Sequence, residues 1–330
     1  MHTTIEKGSP VWRTGVGVRA GTARGRRHRR VLHRRLGGAT PVSAPRVGIG
    51  RRARRLLPKA VDTKNRRLPR QLLLVLALLF AGAVGARAQD NYEIQVYGSE
   101  TVPTGRTMVE LHSNYTLAGR SSAVDGLLPT NHALHETLEI THGFTEWAEV
   151  GVYAFTSARG GDGVQWVGSH IRPRVRAPVD WHWPVGASLS AEFGYQRAAF
   201  SADTWTLELR PIVDRQFGPW YAALNPTLGR SFRGPGTASG LEFAPSATVG
   251  LDVSSRVNLA LEYYSVLGSL RKLDPAADQQ RQLFGVVNLN VGPDWEINAG
   301  YGQALTAGGD RKLIKLILGR RLGRARRDAS

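Results

Sequence analysis

Ala187-Ser188-Leu189-Ser190-Ala191-Glu192-Phe193-Gly194-Tyr195-Gln196 alternates an apolar or aromatic residue with a polar or small one at every step. A period of two puts Ala187, Leu189, Ala191, Phe193 and Tyr195 on one face of a strand and the other five on the opposite face. The pattern recurs on both sides of this stretch. Val109, Leu111, Tyr115 and Leu117 alternate with Glu110, His112, Asn114 and Thr116, and Leu259, Leu261 and Tyr263 alternate with Asn258, Ala260 and Glu262. Twelve such segments are predicted, near 107–117, 132–142, 148–157, 167–178, 186–199, 204–216, 221–231, 241–252, 257–269, 281–291, 296–306 and 311–322.

The connections alternate in character. Those at 118–131, 158–166, 232–240 and 270–280 are long, polar and rich in Gly and Asp, although 200–203 and 307–310 on the same side are short. Phe217-Gly218-Pro219-Trp220, Val253-Ser254-Ser255-Arg256 and Gly292-Pro293-Asp294-Trp295 are tight. An even number of strands with short turns at one end and longer loops at the other predicts an all-β fold, an antiparallel transmembrane β-barrel of about twelve strands. After Gln89 no apolar run is long enough for a membrane helix. A sheet in lipid must close, because the bilayer core offers no hydrogen-bond partner to an open edge. Pro173, Pro211, Pro226 and Pro245 fall inside predicted strands and each removes a ladder donor, so bulges or different strand limits are expected there.

Tryptophan placement agrees with a barrel. Trp147, Trp181, Trp183, Trp220 and Trp295 fall at the short-turn side, Trp166 and Trp205 at the long-loop side, and none is mid-strand. Amphipathic indoles at both ends of an apolar band form interfacial girdles, whereas a soluble sandwich buries its tryptophans at strand centres.

The chain has 330 residues, 44 Lys+Arg, 26 Asp+Glu and no cysteine. Disulfide-stapled folds, thiol chemistry and an acylated N-terminal cysteine are thereby excluded. The basic excess is local: residues 1–88 hold 21 of the bases with only Glu6 and Asp62, whereas 89–330 hold 23 bases and 24 acids. No nucleic-acid partner is expected of the body. Arg66-Arg67-Leu68-Pro69-Arg70, the apolar run Leu72–Gly85 and Ala86-Arg87-Ala88 make residues 66–88 a secretory signal peptide, cleaved before Gln89. Residues 1–65 read as a disordered basic leader. The preferred account is a start assigned too far upstream, with initiation near Val61 or Leu68. The alternative is an arginine-rich nucleic-acid arm around Arg51-Arg52-Ala53-Arg54-Arg55. Residues 89–106, with a short alternation over Tyr92–Tyr97, are expected to form a periplasmic lead-in, 107–322 the barrel, and 323–330 a basic tail.

With apolar positions facing lipid, the other set faces the lumen. Candidates are Glu110, Glu139, Glu149, Glu192, Glu208, Glu242 and Glu262, with Arg172, Arg174, Arg176, Arg210 and Lys315. The same face carries Asp214, Asp252, Glu296, His112, His135 and His170. These groups either brace the wall as a ladder of ion pairs or line a polar path for a solute, and the two roles are compatible. Twelve strands enclose less space than the 16–18 of large porins, so a constricted, partly filled channel is expected. No metal or other cofactor is expected. His132-Ala133-Leu134-His135-Glu136 has the residues of a metal site, but a strand sets His132 and His135 on opposite faces. Ser113 beside His112 cannot form a nucleophile relay for the same reason, and no nucleophile-elbow, phosphate-loop or dinucleotide motif occurs.

Glu100-Thr101-Val102-Pro103-Thr104-Gly105 before the first strand, His142-Gly143-Phe144-Thr145-Glu146-Trp147 between the second and third, and the Trp-bearing turns resemble a family of outer-membrane barrels associated with the MetA pathway of phenol degradation. That resemblance implies a porin-like barrel moving small molecules, hydrophobic or aromatic ones among them, with no catalytic residues. Such barrels end on an aromatic residue, whereas this chain continues from Leu322 through Gly323-Arg324-Ala325-Arg326-Arg327. The expected protein is a non-enzymatic channel of the Gram-negative cell outer membrane. Its partners would be outer-membrane lipid and lipopolysaccharide, the barrel-assembly machinery and a small solute. Alternatives are a structural or adhesive barrel that transports nothing and an outer-membrane lipid-modifying enzyme.

Overall fold

The computed structural model describes residues 91–323. The leader, the signal peptide, its cleavage site and the tail from Arg324 lie outside them. Fourteen strands occur in order: β1 Thr107–Ala118, β2 Leu134–Thr145, β3 Ala148–Arg159, β4 Gly163–Arg176, β5 Gly186–Gln196, β6 Trp205–Phe217, β7 Trp220–Arg233, β8 Leu241–Asp252, β9 Val257–Val266, β10 Gly268–Ser269, β11 Lys272–Leu273, β12 Gln280–Leu289, β13 Trp295–Ala304 and β14 Lys312–Leu322. β10 and β11 form a two-residue hairpin within a loop. The other twelve make one closed antiparallel cylinder, in which each strand pairs with the next and β1 pairs with β14 from Thr107↔Leu322 to Ala118↔Lys312. The predicted barrel and its strand count stand, with limits moved by a few residues.

Side-chain burial follows the period of two. Along β9, Leu259 and Leu261 are exposed, while Asn258, Glu262 and Tyr264 are buried. The outer surface is a continuous apolar band, including Leu111, Leu138, Val152, Ile171, Leu189, Leu224, Val249 and Leu316. An exposed apolar surface of this extent belongs in lipid rather than water. Six of the seven expected girdle tryptophans are exposed, and Trp295 is half-buried. Trp147, Trp181, Trp183, Trp220 and Trp295 ring the short-turn end, with Trp166 and Trp205 at the long-loop end.

The four strand prolines break ladders inside strands and do not mark bulges or strand limits. Register shifts fall elsewhere, at Thr116/Ala118, Gly143/Thr145, Phe155/Thr156 and Trp205/Thr206. Between β6 and β7 pairing stops at Leu209↔Leu228 and resumes at Val213↔Leu224, a gap centred on Pro211 and Pro226. Between β4 and β5 it skips from Ile171↔Phe193 to Arg174↔Ser190, at Pro173, and β8–β9 pairing begins at Ser246, directly after Pro245. On their other sides the same prolines stay in register, at Val150↔Pro173, Leu189↔Pro211 and Pro226↔Pro245. A strand residue aims its N–H at one neighbour only, so each proline costs one ladder and spares the other.

Candidate functional site

Residues 91–106 do not form a lead-in beyond the sheet. They run through the lumen from the long-loop end to the short-turn end and enter β1 there. Asn91 donates to Asp310, in the loop before β14, at 2.5 Å, and accepts from Asn114 at 2.9 Å. Thr137 donates to the Tyr92 carbonyl at 2.6 Å, and Lys315 to that of Ile94 at 3.1 Å. At mid-depth the Asn225 side chain accepts from the Tyr97 N–H at 2.7 Å and donates to the Tyr97 carbonyl at 2.9 Å. Lower down, Ser99 donates to Asp214 at 2.6 Å, the Val102 N–H to Glu149 at 2.5 Å, and Arg174 to the Glu100 carbonyl at 2.6 Å. Nearly all these bonds use wall side chains. The segment joins no β-ladder among the described residues, so its displacement would leave the sheet intact.

Its side chains explain why the lumen is only partly polar. The alternation suggested a polar interior, but buried Tyr153, Phe155, Val167, Ile212, Tyr264, Phe284, Val286, Leu313 and Ile317 also point inward. Seven of these nine, all but Ile212 and Ile317, form two clusters on different parts of the wall. Tyr92 packs into the one with Tyr153, Phe155 and Val167, and Ile94 into the one with Tyr264, Phe284, Val286 and Leu313. The threaded segment removes these apolar surfaces from water. The half of the lumen nearer the long-loop end is therefore filled and largely apolar, with the Lys315–Glu262 pair set among its rings, and the half nearer the short turns is more highly charged.

The expected lumenal charges are spread along the wall, Glu110, Glu139, Glu149, Arg172 and Arg174 toward the short turns and Lys315, Glu208 and Glu242 toward the long loops. Glu110, Glu139, Glu149, Arg172, Arg174, Glu192, Glu262 and Lys315 are buried inside the wall, and Arg210 nearly so. Arg176 and Glu242 are half-buried, and the Glu208 side chain is 40% exposed. Arg172 pairs with Glu139 at 2.7 Å and Arg174 with Glu149 at 2.6 Å, so these arginines brace backward onto β2 and β3 and not onto β5 and β6. The cause is local. Arg174 stands opposite Glu149 in the β3–β4 register, whereas Arg172 stands opposite Gly151, which has no side chain to block its reach to Glu139 one strand further on. Arg210 instead pairs with Glu208 at 2.9 Å and with Glu93 of the threaded segment at 3.3 Å. His170 meets Glu192 at 2.6 Å, and Lys315 is bonded to Glu262. The guanidinium groups of Arg172 and Arg210 lie 4.6 and 4.9 Å from the centre of the Tyr97 ring, which ties the segment to both ion networks.

The alternation does not single out Asn225, nor Asn298 and Asn288 of a row they form with Asn258 and Asp252, two residues it does place on the lumenal face. Only the register, Asn288↔Asn298, Asn258↔Asn288 and Asp252↔Asn258, places that row side by side on β13, β12, β9 and β8. Beside it the threaded segment leaves a cavity of about 200 Å³ open toward the short-turn end. Among the described residues no group of three or more His, Cys, Asp or Glu is placed to hold a metal ion. His135 is buried against the Tyr92 ring at 4.9 Å, whereas Ser113 lies on the opposite face from His112 and bonds Glu136.

No protein-family model and no curated protein matches the chain. Among solved structures it is similar to an outer membrane channel from Pseudomonas putida F1, at 13% identity over 70% of this chain and 100% of that one, with a TM-score of 0.50. It is also similar to the KdgM porin, at 10% identity over 66% and 99% of the two chains and a TM-score of 0.41. A third likeness is to Omp33 of Acinetobacter baumannii, at 13% identity over 66% and 98% and a TM-score of 0.36. At these identities the first likeness bears on fold alone, that of an outer-membrane barrel.

Proposed function

We propose that this chain is an outer-membrane channel for small molecules, closed in the conformation described by its own residues 91–106. The observation that carries the reading is a sealed cylinder, apolar outside and ionic inside, whose bore is filled by an extended segment bonded mainly to wall side chains. A structural or adhesive barrel has no need of a displaceable filling. The aromatic residues Tyr92, Tyr153, Phe155, Tyr264 and Phe284 near the long-loop end support aromatic or otherwise apolar solutes, in keeping with the resemblance to MetA-associated barrels. Residues 66–88 are proposed to direct export, the assembly machinery to insert the barrel, and lipid and lipopolysaccharide to surround its apolar band. Liposome swelling with the purified full chain tests the channel: glycine and arabinose should enter and raffinose should be excluded. Liposomes that admit none of the three, from protein verified as folded by heat-modifiable gel mobility, would count decisively against it.

A further inference from the structure

We infer that the lumenal cavity at Glu110, Glu296 and Asn298 binds the ammonium group of a small primary amine. The inference deepens the channel reading by naming a solute class. Glu110 on β1 and Glu296 on β13 both stand opposite Gly319 on β14. A Cβ on Gly319 would lie 2.9 Å from Glu110 Cγ and 3.2 Å from Glu296 Cβ, so both side chains lean over the one strand position that carries no side chain. Both line the cavity. Glu110 is only 7% exposed and has no hydrogen-bond partner among the described residues, and Glu296 meets only the Gln95 amide, at 3.5 Å.

Of the nearby cations all but Arg321 answer other carboxylates, Arg106 answering Asp294. Arg172 and Arg174 answer Glu139 and Glu149, Lys315 answers Glu262, and Arg321 donates to the Pro293 carbonyl at 2.9 Å. No ion pair within 4.0 Å among the described residues includes Glu110 or Glu296. Glu110 and Glu296 thus share one facing guanidinium, that of Arg321 at the same cavity wall, and two buried carboxylates facing one cation are a positive charge short.

The asparagine row is an independent observation pointing the same way. The Asp252 carboxylate can only accept, so it orients the row: Asn258 donates to Asp252 at 2.9 Å, Asn288 to Asn258 at 3.0 Å and Asn298 to Asn288 at 2.7 Å. Every amide N–H₂ is thereby turned toward Asp252. The last carbonyl oxygen, Oδ1 of Asn298, is left without a donor, buried and at the cavity wall. Reversing the Asn298 amide would set its oxygen against that of Asn288. The Glu110 and Glu296 carboxylates and the Asn298 oxygen thus present acceptors to one corner of the cavity, and an ammonium offers three donors and no acceptor. The carboxylate set is too small for a metal ion, and Val96, Met108 and Ala260 give the amine's carbon skeleton an apolar wall.

Calorimetric titration of the full chain in detergent with benzylamine tests this. Benzylamine should bind, with benzyl alcohol and the Glu110→Gln/Glu296→Gln double variant each about tenfold or more weaker, as expected for loss of charge-assisted bonds. Because the two Gln substitutions remove unpaired buried charge, the variant should keep its heat-modifiable mobility. If it fails to fold, each single Glu→Gln variant should show a severalfold loss. Absence of benzylamine binding, equal affinity for benzyl alcohol, or undiminished affinity in folded variants would overturn the site. Binding without solute flux would leave the site standing and sink the channel, and flux without binding would do the reverse.

Discussion

Deleting residues 91–101 should raise the single-channel conductance of the reconstituted barrel severalfold and convert brief openings into long ones. The segment occupies the bore along its whole depth, from Asn91 at Asp310 to Val102 at Glu149, and contributes nothing to the ladders. Its loss leaves every strand pair in place, including the closing β1–β14 pair, so the cylinder should survive. Removal also bares two apolar clusters and strips partners from Asn225, Asp214 and Arg174, so the opened barrel should unfold at a lower temperature. A milder change tests the same hold. Tyr97→Ala with Asn225→Leu breaks two hydrogen bonds and the ring contacts with Arg172 and Arg210, and should give partial opening. Planar-bilayer recordings in which the deletion variant matches the full chain, with both barrels folded, would rule out the segment as the closing element.

The largest effect on stability is expected at Arg172. Its guanidinium is 2% exposed, bonds Glu139, lies 3.7 Å from Glu149 and stacks beneath Tyr97 and Tyr153. Arg172→Met keeps the apolar stem and removes the charge, which leaves the buried Glu139 carboxylate with only the Thr141 hydroxyl at 2.7 Å and His112 at 3.4 Å. Breaking one side of such a buried pair costs about 3–5 kcal/mol. Arg172→Met combined with Glu139→Gln should recover much of that loss, because the remaining Glu149 still has Arg174 at 2.6 Å. Urea unfolding followed by tryptophan emission reads both variants. A single-variant cost below about 1 kcal/mol would place Arg172 in the range of a solvated ion pair.

The barrel was legible in the sequence because its signal is local. Period-two alternation, tight Gly-Pro turns and tryptophans near strand ends each occupy a few adjacent residues, as the match of Leu241–Asp252 to its predicted limits illustrates. The threaded segment was not legible. Tyr92–Tyr97 looks like a short strand, and what keeps it from being one is a set of partners far away in sequence, such as Asn225 for Tyr97 and Lys315 for Ile94. The apolar lumen was hidden for a related reason: Phe155, Phe284 and Leu313 face inward only because the segment is there to cover them. The asparagine row needs three strand registers before its members become neighbours. The prolines were visible, but their effect depends on which way each missing N–H would have pointed.

The account stands on the outward face of the cylinder being immersed in hydrocarbon. The chain has no cysteine, so single cysteines can be placed along β9 at positions 258–263 and spin-labelled in reconstituted bilayers. Collision with oxygen, which concentrates in lipid, and with a water-soluble nickel chelate reads each site's surroundings. Labels at Leu259, Leu261 and Tyr263 should collide strongly with oxygen and hardly with nickel, and labels at Asn258, Ala260 and Glu262 should lose that oxygen preference, so the profile alternates at every residue. A flat profile, or strong nickel contact at Leu259 and Leu261, would contradict a membrane-spanning wall.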